Sequence, residues 1–264
     1  METKWMKPKG DSKEAAQVIS ITIYPLKSCR GISVPEAALS STGFRWDRQW
    51  IVVNSKGRAC TQRVEPSLAL VEVELPNEAL SEGWEPNPSS FLGPQIEALR
   101  KLQNKAIMIT KEAISLVSTS PFLIVIRAPG MDVLKVPLAE PSEVANGVSV
   151  WEWSGSALDE GDEASKWFSK YLGKPSRLVV SMKSRPTDPN YAPGYKIKFN
   201  DAYPFLLISQ KSLDVLNEQL KEPVSINRFR PNVHQELNNC FNMTPLHGVL
   251  VKMMALASLG QILL

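Results

Sequence analysis

The first clear pattern in the chain is VISITIY, from Val18, where apolar and polar positions alternate among β-branched residues. That alternation predicts a strand with one buried face. Residues 1–17 are polar and lysine-rich and are expected to form a disordered lead-in. PLKSCRGISVPEAA reads as a loop, with Gly31 and Pro35 as turn residues. QWIVVNSKGRACTQR predicts a hairpin turning between Asn54 and Gly57. LALVEVELP, KAIMIT and LIVIRAP predict three further strands, LIVIRAP almost wholly buried, and VSVWEW closes the first half. Between them, Ser81 to Pro94 is rich in Gly, Pro, Ser and acids and reads as a loop.

The second half changes period. In SALDEGDEASKWFSKYLG the apolar residues Leu158, Ala164, Trp167, Phe168 and Tyr171 predict an amphipathic helix stopped by Gly173. RLVVSM reads as a strand, RPTDPNYAPGY as a loop, and PFLLIS as a buried strand or a helix entry. SQKSLDVLNEQLK predicts a helix with Ser209 or Ser212 as its N-cap. HGVLVKMMALASLGQILL shows neither period, and Lys252 keeps it short of the ~20 apolar residues that span a bilayer. A membrane tail anchor and a buried or poorly folded end are both readable there. The fold class expected from the pattern is mostly β with a few helices (α+β).

Composition narrows this little. At 264 residues the chain has room for one large domain or two small ones, and 43% hydrophobic content suits a globular protein. A net charge of +3 does not argue for nucleic acid, although a local basic cluster can still hold a small anion. Twenty prolines argue against long helices. The cysteines are Cys29, Cys60 and Cys240, without CxxC or zinc-like spacing, as expected for a reducing compartment. No secretory signal or clear transit peptide is read at the start.

Four polar clusters carry candidate chemistry. Lys27, Ser28 and Arg30 lie in a glycine-containing loop that suits phosphate but also reads as a solvated basic loop. In FRWDRQW, Arg45, Asp47 and Arg48 alternate with aromatics, as for an arginine held by packing and ion pairing, or for a structural salt bridge. Alternation in ACTQRVEP places Thr61 and Arg63 on one face of a strand. In an extended SINRFRPN, Arg228 and Arg230 share a face suited to a bidentate oxyanion, flanked by Asn227 and Asn232. Anion-directed donors far outnumber candidate acids and bases. No GxGxxG after a strand, GxxxxGK[ST], GxSxG or HExxH occurs, and the only histidines are His234 and His247.

YPLKSCRG, GFRWDRQWIVV, TQRVEPSLALVEVEL, AYPFLLISQKSLDVLN and NRFRPN stand together in the order they take in MOSC proteins. From Val18 to Asn232 the chain resembles the amidoxime-reducing components and the C-terminal domain of molybdenum-cofactor sulfurase. The resemblance implies an N-terminal β-rich MOSC domain (18–145) packed on a MOSC β-barrel (146–232). That barrel is expected to be incomplete, followed by a divergent tail (233–264). It implies binding of the molybdenum cofactor (Mo-molybdopterin), with Lys27, Ser28 and Arg48 in the pocket and Thr61, Arg63, Ser209, Asn227, Arg228 and Arg230 as further candidates. Lys27, Arg48 and Arg228 or Arg230 are then expected to line one cleft.

After Asn232 the sequence departs from the family, and the cysteine that ligates molybdenum there is expected to be missing. Neither Cys240 nor Cys29 takes that role. The family activity is reduction of N-hydroxylated compounds with electrons from a cytochrome b5 and cytochrome b5 reductase system. A cofactor-binding or carrier protein without turnover is the alternative, and a sulfurase-related role ranks last. Pyridoxal phosphate enters only through the complete sulfurases. A monomer without a clear membrane segment is expected, in the cytoplasm or alternatively in mitochondria.

Overall fold

The structure is a computed structural model that describes residues 16–84, 122–190 and 192–237. The lead-in through residue 15, the KAIMIT strand, most of the Ser81–Pro94 loop and the apolar end with Cys240 and His247 lie outside the described residues. In chain order the strands are β1 (Ala16–Ile23), β2 (Ile32–Val34), β3 (Leu39–Ser40), β4 (Gly43–Phe44), β5 (Trp50–Asn54) and β6 (Glu72–Glu74). Then follow β7 (Leu123–Arg127), β8 (Leu134–Pro137), β9 (Val144–Val150), β10 (Trp153–Asp159) and β11 (Ser176–Val180). The last are β12 (Arg185–Pro186), β13 (Lys196–Ile197), β14 (Leu207–Ser209) and β15 (Val233–Leu237). Among the described residues, three α-helices, α1 (Asn77–Leu80), α2 (Asp162–Leu172) and α3 (Gln210–Gln219), complete a mostly β fold with few helices, as the pattern predicts.

The chain divides into two compact units, Ile23–Pro204 and a unit built from Met1–Thr22 with Phe205–Leu264. The continuous unit is organised by the antiparallel sheet β5-β11-β10-β9. Its apolar face gathers Ile51, Val53, Val148, Val150, Ala157, Val179 and Phe199 into one core. Alternation explains this: β-branched residues at every second position of β5 and β9 point the same way. Helix α2 buries Ala164, Trp167 and Phe168, opens with Asp162 and Glu163, and ends at Gly173 in the left-handed conformation, φ +67°. Acids in the first turn and glycine past the last both suit the helix's orphan backbone groups. A second sheet, β6-β7-β8, stands in the same unit.

In the discontinuous unit, β1 pairs antiparallel with β15, and β15 pairs parallel with β14. Ser209 caps α3, its hydroxyl accepting from the Ser212 amide at 3.2 Å. The buried Asn232 ties these segments: its carbonyl oxygen accepts from Leu206 N and its amide donates to Thr22 O, both at 3.2 Å. Among the described residues no sheet closes into a barrel.

Several local expectations change. Thr61 to Glu65 forms a turn in which the Thr61 carbonyl accepts from Val64 and Glu65, so alternation does not place Thr61 and Arg63 on a strand face. Pro66, which opens a 3-10 helix over Pro66–Leu70, ends the hairpin and takes the LAL of LALVEVELP with it. SINRFRPN is not extended: Ile226–Arg228 is a 3-10 turn and Arg230 has φ +57°, so the shared face of Arg228 and Arg230 is lost. β7 alternates between buried and half-buried positions rather than being wholly buried. SALD belongs to β10, not to the helix. Past Asn232, where departure was expected, the chain continues into β15 with Val233 and His234 buried.

The turn after β5 depends on Gly57. Its φ is +73°, and a Cβ there would lie 2.3 Å from the Gly147 carbonyl oxygen. Gly57→Ala is expected to lower the unfolding free energy by about 1–3 kcal/mol. A urea titration of both proteins checks this, and an unchanged midpoint would refute the close approach.

Candidate functional site

The polar centre of the continuous unit grows from three segments. Residues 24–29 run beside residues 48–50, with Arg48 N donating to Tyr24 O at 2.7 Å and Lys27 N to Trp50 O at 2.8 Å. The Phe199 amide donates to Arg48 O at 3.1 Å, which brings up residues 198–201. The buried Asp47 carboxylate stands where the three meet. It accepts from Tyr24 N at 2.9 Å, from Arg48 Nη1 at 2.7 and 2.6 Å, and from Asn200 Nδ2 at 3.2 Å. The Arg48 guanidinium also lies over the Tyr24 ring, 4.4 Å from its centre. Arg48 is thus held by packing and ion pairing, and the same ion pair is also a structural salt bridge at the entry to β5, so both readings of its aromatic flanks hold.

Lys27 is buried, with its side chain 8% exposed. Its ammonium donates to Phe199 O at 2.8 Å and to Asp201 Oδ1 at 2.6 Å. Burial pushes its pKa below the ordinary lysine value; Asp201 opposes this, while Arg48 and Arg185 add to it. The same Asp201 oxygen accepts from Trp151 Nε1 at 2.7 Å. The Arg63 guanidinium sits over the Trp151 ring, 4.8 Å from its centre. Arg185 fixes the 198–201 segment through the Lys198 and Asp201 carbonyls, at 3.2 and 3.0 Å. Lys198, bonded to Gln49 at 2.7 Å, is lowered to about 8 by burial and by Arg45.

The structure therefore brings Lys27, Arg48 and Arg63 into one network, with Ser28 buried beside Lys27 at φ +70°. Thr61 stays in the turn that leads to Arg63. The other candidates belong to the discontinuous unit, where Ser209 is a helix cap, Asn227 and Arg228 are exposed and Arg230 is half-buried. Sequence reasoning missed Asp201, Trp151, Asn200 and Arg185. A buried lysine requires an acid, and NDAYP offered one, but nothing local links it to a residue 174 positions away.

Chemically the cluster sets Lys27, Arg48, Arg63 and Arg185 against Asp47 and Asp201, an excess of cationic donors suited to an oxyanion. Among the described residues no group of His, Cys, Asp or Glu side chains is arranged to hold a metal ion. Cys29 and Cys60 are both buried, and burial pushes the Cys60 thiol up.

The MOSC N-terminal beta barrel domain matches residues 15–89 and 103–175, and the MOSC domain matches residues 194–243. The chain belongs to the MOSC N-terminal beta barrel family, and the MOSC match continues eleven residues past Asn232 (243 − 232). Its relatives include mitochondrial amidoxime reducing component 2 of Rattus norvegicus, 30% identical over 84% of this chain and 56% of that protein. The Bos taurus protein of the same name is 28% identical over the same shares, and the human one 26% over 87% and 59%. The chain spans just over half the length of these relatives.

One acid beside the cluster titrates near neutrality. Glu160 accepts from Trp50 Nε1 at 2.6 Å. Burial raises its pKa from 4.5 to about 7, against the Trp50 hydrogen bond and with help from Asp159. The fold holds this proton more tightly than the unfolded chain does. Its stabilisation is therefore complete below pH 4.5 and is lost as pH rises through about 7. Thermal melts between these limits are expected to show a falling midpoint that Glu160→Gln flattens. An identical slope in both proteins would contradict this assignment.

Proposed function

We propose that this chain takes part in the reduction of N-hydroxylated substrates and that Lys27, Ser28, Arg48 and Arg63 hold the anionic part of a molybdenum-pterin cofactor. The observation that carries the reading is the buried Lys27 ammonium beside the Asp47-anchored Arg48, in a chain whose relatives are named amidoxime-reducing components. The donor set fits the phosphate and polar edge of such a group, because charged N–H donors fixed in a partly buried setting bind oxyanions without further reorganisation. When bound, the cofactor supplies the two-electron redox chemistry. The chain's own residues bind and orient it: Lys27 as a compact charge, Arg48 as a planar fork kept in plane by Asp47 and Tyr24. The relatives' names support a mitochondrial rather than a cytoplasmic setting. Electrons would come from cytochrome b5 and its reductase. No described helix is long and apolar enough to cross a membrane.

Removing one charge-assisted donor costs about 1.5–3 kcal/mol, roughly ten- to a hundredfold in affinity. Lys27→Ala and Arg48→Ala are each expected to lower the pterin and molybdenum content of protein expressed with cofactor supply. The exposed Lys135→Ala serves as control. N-hydroxy reductase activity, assayed with cytochrome b5 and its reductase, should fall with cofactor content. Full cofactor content in both variants would overturn the reading.

A further inference from the structure

A lysine ammonium has three N–H donors. In Lys27 two are directed, to Phe199 O and Asp201 Oδ1, which leaves one for a ligand among the described residues. Asp201 is unlike its partner: its side chain is 69% exposed where that of Lys27 is 8% exposed. Its oxygen makes a second bond, to Trp151 Nε1 at 2.7 Å. Trp151 is itself 53% exposed and sits at φ +53° in the turn between β9 and β10, so burial does not fix this ring. Among the described contacts, the hydrogen bond to Asp201 and the overlying Arg63 guanidinium hold it.

We propose that Asp201 is the positioning residue of this anion site: one carboxylate oxygen, shared by Lys27 Nζ and Trp151 Nε1, aims the remaining N–H of Lys27 at the ligand and carries the Trp151–Arg63 pair to the same edge. The proposal rests on the Lys27–Arg48 cluster being an anion site. It explains how Arg63, in a turn remote in sequence, becomes part of that cluster. It also favours the charged form of Lys27. Burial, Arg48 and Arg185 all disfavour the ammonium, and Asp201 is the group that opposes them. Without Asp201, Lys27 loses its proton at a lower pH, and anion binding then weakens as the solution becomes alkaline.

Competitive acetylation of the full chain with acetic anhydride, read at Lys27 by mass spectrometry, tests this without any ligand. The isosteric Asp201→Asn is expected to raise Lys27 labelling at pH 8 several-fold, because removing the opposing carboxylate favours the neutral amine. Asp201→Glu should restore the native level. Equal labelling in native and Asp201→Asn proteins would overturn the proposal. Binding of inorganic phosphate at pH 6 and pH 9 separates the two readings. Relative to the native chain, Asp201→Asn should lose affinity chiefly at pH 9, and Trp151→Phe should weaken binding equally at both. If Lys27→Ala leaves phosphate binding intact, the anion site itself is wrong. If Lys27→Ala abolishes binding while Asp201→Asn matches the native chain at both pH values, only the positioning role falls.

Discussion

The continuous unit turns on the carboxylate of Asp47. A charge this deeply buried is costly unless paired and fully hydrogen-bonded. Asp47 meets that requirement by drawing in the Tyr24 amide, the Arg48 guanidinium and the Asn200 side chain. Tyr24 stands three residues before Lys27, and Asn200 immediately precedes Asp201. The same carboxylate therefore sets where the ammonium and its counter-ion start from. The anion-directed groups are placed by a residue that is not itself a candidate ligand contact.

Backbone strain gathers around these groups. Among the described residues of the continuous unit, the non-glycine positions at positive φ are Ser28, Trp46, Arg48 and Trp151. Each left-handed residue costs of order 1–2 kcal/mol and persists only where its surroundings over-determine it. For Arg48 those surroundings are Asp47 and the Tyr24 ring; for Trp46, the Ala79 carbonyl and stacking on Trp50. Such conformations set side-chain directions that a regular strand would not allow. The candidate site is thus built from departures from the β pattern, not from the pattern itself.

That explains what was legible in the sequence. Strands β5, β9 and β11 follow from short apolar runs rich in β-branched residues, and helix α2 from the Trp167–Phe168–Tyr171 spacing, because each buries an apolar face. The Ser209 cap followed from local chemistry. Thr61–Arg63 and Ile226–Arg230 were misread because period-2 reasoning was applied to segments that Pro66 and a left-handed Arg230 turn aside. Lys27 and Arg48 stood out through local basic clusters. Asp201 and Trp151 did not, since their roles exist only through partners 174 and 50 residues away.

The pairing of β1 with β15 has a consequence for the order in which the chain folds. Ala16 faces Leu237 across that ladder, so the discontinuous unit cannot close until almost all the described chain has been made. Residues 23–204 carry their own core and can condense first. Through most of synthesis, the edge of β1 that meets β15 then has no partner. Closing so long a loop is slow, and an unpaired strand edge invites association with other chains. The polar, lysine-rich run before β1 is well placed to discourage that association while β1 waits.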